Sequence, residues 1–185
     1  MKNVLMVVSG PSGVGKGTLV KRLCREREDV IESVSCTTRA PREKEVNGRE
    51  YFFISKEEFK ERIALGDFLE YDDHFENFYG TPKSFVEKQL ESKSVVLEID
   101  VNGGLDVKKV RPDCVLVMIV PPSKEILRER LQGRQTETAE QIENRLSRLD
   151  FEISKQSEYD YVIVNDDLEL ALKELGAVLD KEKNK

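Results

Sequence analysis

The stretch Gly10-Pro11-Ser12-Gly13-Val14-Gly15-Lys16-Gly17-Thr18 constrains this chain more than any other, because of what stands on either side of it. Before it runs Val4-Leu5-Met6-Val7-Val8, a continuous apolar stretch; after it Leu19, Val20, Leu23 and Cys24 recur at helical spacing. A strand apolar on both faces belongs in the middle of a sheet covered on both sides, as parallel sheets are. Glycines in the turn let successive backbone N–H groups converge on one point, where a Cβ would block the approach. The helix that starts there adds the positive end of its dipole. Lys16 adds a full charge, placed to meet the β- and γ-phosphates of a nucleotide. Gly10 to Thr18 therefore read as a phosphate-binding loop. One position departs from the pattern G-x-x-x-x-G-K-[ST]: Gly17 stands where a magnesium-ligating hydroxyl is usual, and the hydroxyl is delayed to Thr18. Magnesium is then expected to be held mostly through water and the nucleotide's own oxygens, which suits an ion that dehydrates reluctantly. Thr18 is expected to contact the α-phosphate instead.

Three more apolar runs, Val95–Ile99, Val115–Val120 and Tyr161–Val164, alternate with helical stretches near 83–92, 103–110, 123–132, 138–157 and 167–182. That alternation predicts an α/β fold with a mostly parallel sheet. A length of 185 residues suits one such core and is cramped for two. Residues 34–84 read differently. Asn47-Gly48 signals a hairpin, Ser55 and Glu58 are spaced for a capping box, and aromatic residues concentrate from Tyr51 to Tyr79. This segment is expected to be a mixed α+β insertion. Residues 125–149 form a second insertion, helical and polar, whose basic residues are all arginine.

Charge and inventory exclude several classes of function. The net charge of −6, from 30 basic and 36 acidic residues, argues against a nucleic-acid polymer as partner. His74 is the sole histidine, so a histidine-based zinc site or a Ser-His-Asp triad is all but ruled out. Cys24, Cys36 and Cys114 are odd in number and widely spaced, as expected of small core residues in a reducing compartment. The run Val4 to Val8 is too short for a signal peptide or a membrane span. A cytoplasmic protein with no membrane partner is expected.

A second anion site is suggested by Arg39 and Arg42, on either side of Pro41. A proline-stiffened turn can point two planar guanidinium forks at one anion, although a solvated surface pair would look the same. Asp100 follows the strand ending at Ile99 and so stands on the ligand-binding edge of a parallel sheet. It could equally cap the next helix, and the two roles can coexist. In the second insertion Arg145 and Arg148 flank an apolar stripe of Ala139, Ile142, Leu146, Leu149 and Ile153. Pairing with Glu140, Glu143 or Glu152 is the plain alternative to a role on a ligand.

The loop G-P-S-G-x-G-K, the run S-x-T-T-R-x-P-R from Ser35 to Arg42, then N-G-x-x-Y, F-x-E-Y, Y-G-T and I-D-x-x-G, in that order, resemble the guanylate kinase family. The resemblance covers residues 4 to about 180. It implies a P-loop NTPase-like parallel sheet with helices on both faces, made of residues 1–33, 85–124 and 150–185. It further implies that 34–84 is a GMP-binding insertion and 125–149 an arginine-rich lid. The implied reaction is ATP + GMP = ADP + GDP, with ATP carried as its magnesium complex. By the same resemblance Arg39, Arg42, Tyr51 and Tyr79 would hold the GMP phosphate, while Ser35, Glu70 and Thr81 would read the guanine. Asp100 would stand near GMP and the magnesium water shell. Arg130, Arg134 and Arg145 would close over ATP beside Lys16; Gln135 stands where the family commonly has glycine. Guanine offers N1–H and N2–H₂ donors side by side, which an ionised Glu70 can accept together. Adenine would face that carboxylate with a lone pair, leaving a buried charge unsatisfied. Two rivals remain open at this level. One is a non-catalytic, protein-binding relative of the family. The other is a different nucleoside monophosphate kinase, since Lys16-Gly17-Thr18 is shared with adenylate kinases. Use of dGMP, and the choice between monomer and homodimer, are not written in these residues.

Overall fold

Parallel pairing follows from where the apolar runs sit. The computed structural model describes residues 2–74, 76–133 and 138–185. The chain opens with β1 (Leu5–Ser9), α1 (Lys16–Glu26) and β2 (Val30–Glu32). The first insertion holds β3 (Cys36–Thr37), β4 (Phe52–Phe53), α2 (Lys56–Ala64), β5 (Phe68–His74) and β6 (Asn77–Pro82). The core resumes with α3 (Lys83–Leu90), β7 (Ser94–Glu98), α4 (Val101–Val110) and β8 (Val115–Val120). Then come α5 (Lys124–Gly133), α6 (Ala139–Ser154), β9 (Tyr161–Val164) and α7 (Leu168–Lys183).

The core sheet runs in the order β2-β7-β1-β8-β9, parallel at every pairing. Side chains of β1 alternate between its two faces. Met6 and Val8 pack with Leu19, Val20, Leu23, Leu172 and Leu175 on the side of α1 and α7. Leu5 and Val7 pack with Val86, Val101 and Val107 on the side of α3 and α4. Both faces are therefore dry, which is why the run needs no polar alternation. Four core strands are legible as apolar runs; β2 is a fifth. It is three residues long at the sheet edge, with Ile31 and Glu32 half-buried, and carries no periodic signal. Cys36 and Cys114 are buried and Cys24 half-buried, all three free, and burial pushes each thiol up to about 11.

The insertion has its own sheet, in the order β4-β3-β6-β5. Its small core forms around Phe59, whose ring stacks on Phe68 at 4.4 Å and on Phe78 at 5.2 Å. The expected Asn47-Gly48 hairpin is not there. Gly48 does turn the chain at φ 81°, but β3 and β4 on either side are parallel. The Asn47 side chain accepts the Phe53 N–H, and Gly48 N–H donates to Tyr51 O, so the turn closes on itself. Only half of the expected capping box forms as well. Ser55 accepts the Glu58 N–H, while the Glu58 carboxylate goes to Arg62. The long hairpin is instead β5–β6, which packs against α4 of the core. Leu127 and Leu131 of α5 are buried against Ile142, Leu146 and Leu149 of α6, with Ile153 half-buried beside them; of the stripe that the sequence spacing predicts for α6, Ala139 is exposed.

Candidate functional site

The loop between β1 and α1 is shaped from behind. Gly10 has φ 139°, and a Cβ there would fall 2.0 Å from Ile119 O; Gly13 has φ 87°, and a Cβ would fall 2.5 Å from Leu131 Cδ2. Any other residue would be both strained and blocked. The obstruction lies in the protein rather than on the side a ligand would approach, which differs from the reason the sequence suggests. Gly10, Pro11 and Val14 are buried. Asn165, at the end of β9, donates its side-chain N–H to Val14 O at 2.8 Å and ties the loop down. No side chain caps α1, so its first-turn N–H groups are left for a ligand.

In front of the loop lies a cavity of about 420 Å³, bordered by Ser12, Gly13, Gly15, Lys16, Gly17, Thr18, Lys21 and Glu98. Lys16 donates to Gly10 O at 2.6 Å and Pro11 O at 3.1 Å. Burial pulls its ammonium below the usual lysine range, against the attraction of Glu98, Glu152 and Asp100. Arg145, from α6, donates to Ser12 Oγ and so stands at the loop. Arg130 does not reach it; its guanidinium donates to Asn165 O at 2.7 Å and Asp166 O at 3.3 Å. Arg134 and Gln135 lie outside the described residues. Arg128 pairs with Glu143 and braces α5 on α6, the ordinary role open to arginines there, while Arg148 lies near Glu152.

A second cavity, of about 280 Å³, is bordered by Ser35, Tyr51, Glu70, Tyr79, Glu98 and Asp100, with Asp72, Gly80 and Ile99. Glu70 on β5 accepts a 2.6 Å hydrogen bond from Thr81 Oγ1 on β6. Burial pushes the Glu70 carboxyl above the usual range; the Thr81 bond holds it down, and the charge of Asp100 adds to the rise. Asp100 accepts the Gly103 N–H at 2.8 Å, so it does cap α4, and it also faces the cavity. Tyr51 and Tyr79 meet edge to face at 6.0 Å, and burial raises the Tyr51 phenol, which stays a hydrogen-bond donor at neutral pH. Arg39 packs over Tyr51 at 5.6 Å and pairs with Glu45. Arg42 is exposed three residues on, its guanidinium without a hydrogen bond to protein among the described residues.

Glu98 borders both cavities, and sequence reasoning missed it. The signal was available: Glu98 and Asp100 are two apart at the carboxyl end of β7, on one side of the chain. A Cβ on Gly17 would lie 3.1 Å from Glu98 Oε2, so this carboxylate takes the space beside residue 17. Glu152 and Asn165 were also missed. They arrive from distant elements, and no local pattern marks them.

Comparison with known proteins agrees with this geometry. Residues 2–182 match the family model described as guanylate kinase. The chain is 48% identical to the guanylate kinase of Clostridioides difficile strain 630 over 185 residues, covering 100% of this chain and 90% of that one. It is 50% identical to that of Clostridium perfringens strain SM101 over 183 residues, covering 98% and 85%. Among solved structures, guanylate kinase from Anaplasma phagocytophilum superposes with a TM-score of 0.77 at 35% identity, covering 100% of this chain and 88% of that one. Shikimate kinase from Bacteroides thetaiotaomicron, at 16% identity and a TM-score of 0.53 over 96% of this chain and 98% of that one, shares the fold alone.

Proposed function

The chain belongs to the guanylate kinase family and is an ATP:GMP phosphotransferase, and we propose that it works through two anion cradles meeting at Glu98. The observation that carries this reading is the shared border. One cavity holds the loop and Lys16, the other holds Glu70, Tyr51 and Tyr79, and one carboxylate belongs to both. ATP takes the loop cavity, with its phosphates on the first-turn N–H groups of α1 and on Lys16. GMP takes the other, its phosphate on Arg39, Arg42, Tyr51 and Tyr79 and its base on Glu70, Thr81 and Ser35. A GMP phosphate oxygen attacks the γ-phosphorus in line; the bond to the β–γ bridging oxygen breaks, and ADP leaves. The attacking oxygen is already anionic, so no general base is needed. Arg145 supplies positive charge over the loop, and we assign Arg130 and Arg134 to the same lid. Its closure excludes water, which would otherwise hydrolyse ATP.

The donor set suits magnesium. Glu98 offers hard carboxylate oxygens beside Gly17 in the loop cavity, and Asp100, at the border of the second cavity, is near enough to act on the charge of Lys16. When bound, the ion neutralises charge on the β- and γ-phosphates. We infer that water and nucleotide oxygens hold it for the most part. We also infer a cytoplasmic location, supported by three free thiols. Among the described residues no helix is long and apolar enough to cross a membrane.

A coupled assay with ATP·Mg²⁺ and each nucleoside monophosphate in turn tests the whole reading. GMP should give by far the fastest ADP release, and preference for AMP or UMP would overturn the guanine assignment. Glu70 gives two sharper expectations. Glu70→Gln should raise the KM for GMP by about tenfold or more, while the KM for ATP barely moves. A carboxyl held above its unfolded value is favoured as the neutral form, so its ionisation at neutral pH works against the fold. Glu70→Gln should therefore melt no lower than the parent at pH 7. Guanine needs the ionised form, so GMP affinity should be full at high pH and fall as pH drops through the raised Glu70 value. A GMP KM independent of pH down to the usual carboxylate range would remove Glu70 from the base.

A further inference from the structure

The turn that carries Arg39 and Arg42 also carries a carboxylate to which the proposed mechanism gives no task. Glu45 takes Arg39 end-on: Nη2 donates to Oε1 and Nη1 to Oε2, both at 2.9 Å. The other Nη1 hydrogen goes to Ala40 O at 2.8 Å. Glu45 Oε2 also accepts the Arg42 N–H at 2.7 Å, and the Glu45 N–H returns a bond to Arg42 O at 3.0 Å. One side chain thus ties the Arg39 guanidinium to the Arg42 backbone across Pro41. Neither partner is loosely solvated, with side chains only 19% and 15% exposed. Arg39 holds the Glu45 carboxyl down to about 2, so the clamp keeps its charge at every working pH.

A guanidinium has five N–H groups arranged as planar forks. Glu45 and Ala40 consume both Nη1 hydrogens and one from Nη2. What remains is the fork made by Nε–H and the second Nη2–H. The guanidinium packs over Tyr51, which borders the GMP cavity together with Tyr79, so Arg39 stands at the edge of that cavity. The guanidinium plane is fixed further by Tyr51 and Phe53, whose ring centroids lie 5.6 and 5.8 Å from the guanidinium carbon.

We propose that Glu45 is a positioning residue for the acceptor: it grips the outer fork of Arg39 and thereby aims the inner fork at the GMP phosphate. This rests on Arg39 being a phosphate ligand. Without the clamp Arg39 must be ordered at each binding event, and a long side chain ordered on binding costs about a tenfold loss of affinity. The opposite view makes Glu45 a competing anion in the phosphate's place, and it predicts tighter GMP binding once Glu45 is neutralised.

The test is steady-state kinetics on Glu45→Gln, on Arg39→Lys and on the double variant, with melting temperatures for each. Glu45→Gln should raise the KM for GMP about tenfold, leave the KM for ATP and the melting temperature unchanged, and alter kcat little. In the Arg39→Lys background the same substitution should add almost nothing, because lysine has no fork to aim. An unchanged or lowered GMP KM in Glu45→Gln overturns the proposal. So does an equal rise in both KM values with a lower melting temperature, the mark of a merely structural pair. If Arg39→Lys alone leaves the GMP KM intact, Arg39 is not a phosphate ligand, and the proposal falls for that separately identified reason.

Discussion

Replacing Lys16 by methionine is expected to cost at least about 100-fold in turnover with the fold intact, the scale found when one preorganised electrostatic group is lost. Methionine keeps most of the aliphatic stem and removes the charge. The loop does not depend on that charge for its shape. Positive φ at Gly10 and Gly13, the close approach of Ile119 O and Leu131, and the Asn165 bond to Val14 set the backbone independently. In the structure Lys16 leans on Gly10 O and Pro11 O, neutral acceptors within its own loop. Two carbonyls cannot compete with the β- and γ-phosphates of ATP, so the ammonium is free to turn outward when nucleotide arrives. It is also ringed by Glu98, Glu152 and Asp100, whose attraction opposes the burial that would neutralise it. A lysine kept charged in a half-dry site is suited to charge that moves from the γ-phosphorus to the leaving oxygen. The checks are kcat, circular dichroism and the melting temperature. A near-normal kcat would show that Lys16 does not act on the migrating group.

How much of this was legible depends on whether the cause was local. The loop could be read because its causes are: glycine permits positive φ, an apolar run before it makes a buried strand, and Leu19, Val20 and Leu23 mark the helix face. The α6 stripe was legible for the same reason. β2 was not, because an edge strand of three residues has too few positions to carry a period. Asn47-Gly48 misled because a turn signal fixes the turn and leaves open the direction of the strands beyond it. In the site, Asp100 was legible from its place at a strand end, and Glu98 should have been. Asn165, Glu152 and Glu45 were not. Each acts on a partner that only folding brings near: Asn165 on Val14, Glu152 on Lys16, and Glu45 on an arginine that the sequence had already spent on a ligand. For Arg130 the family resemblance implies a lid role, and the structure adds a contact that no local pattern marks, from its guanidinium to the turn after β9.

Replacing Arg42 by methionine is expected to cost at least about 100-fold in turnover as well, for a reason that sets it apart from Arg39. Arg39 is half committed, with one fork on Glu45 and its guanidinium packed over Tyr51 and Phe53. Arg42 is exposed and its guanidinium makes no hydrogen bond to protein among the described residues, so its donors are uncommitted. What is fixed is its backbone, through the bond from its N–H to Glu45 and the rigid Pro41 before it. That is the arrangement of a side chain that closes onto an arriving dianion rather than one that waits for it. The acceptor phosphate carries the nucleophile. In the proposed mechanism it rests on two guanidinium groups, so losing one is expected to loosen the attacking oxygen as well as the binding, and small misplacements of a nucleophile weigh heavily on rate. Methionine leaves the contacts of Glu45 with Arg39 and helices α5 and α6 untouched, so the KM for ATP and the melting temperature should stay near those of the parent. The ratio of ATP hydrolysed to GDP formed should rise, because a poorly held acceptor lets water compete. Unaltered kcat, with an unaltered hydrolysis ratio, would mean that the Arg42 side chain stays in solvent throughout the reaction and that the acceptor phosphate is held by Arg39 and the tyrosines alone.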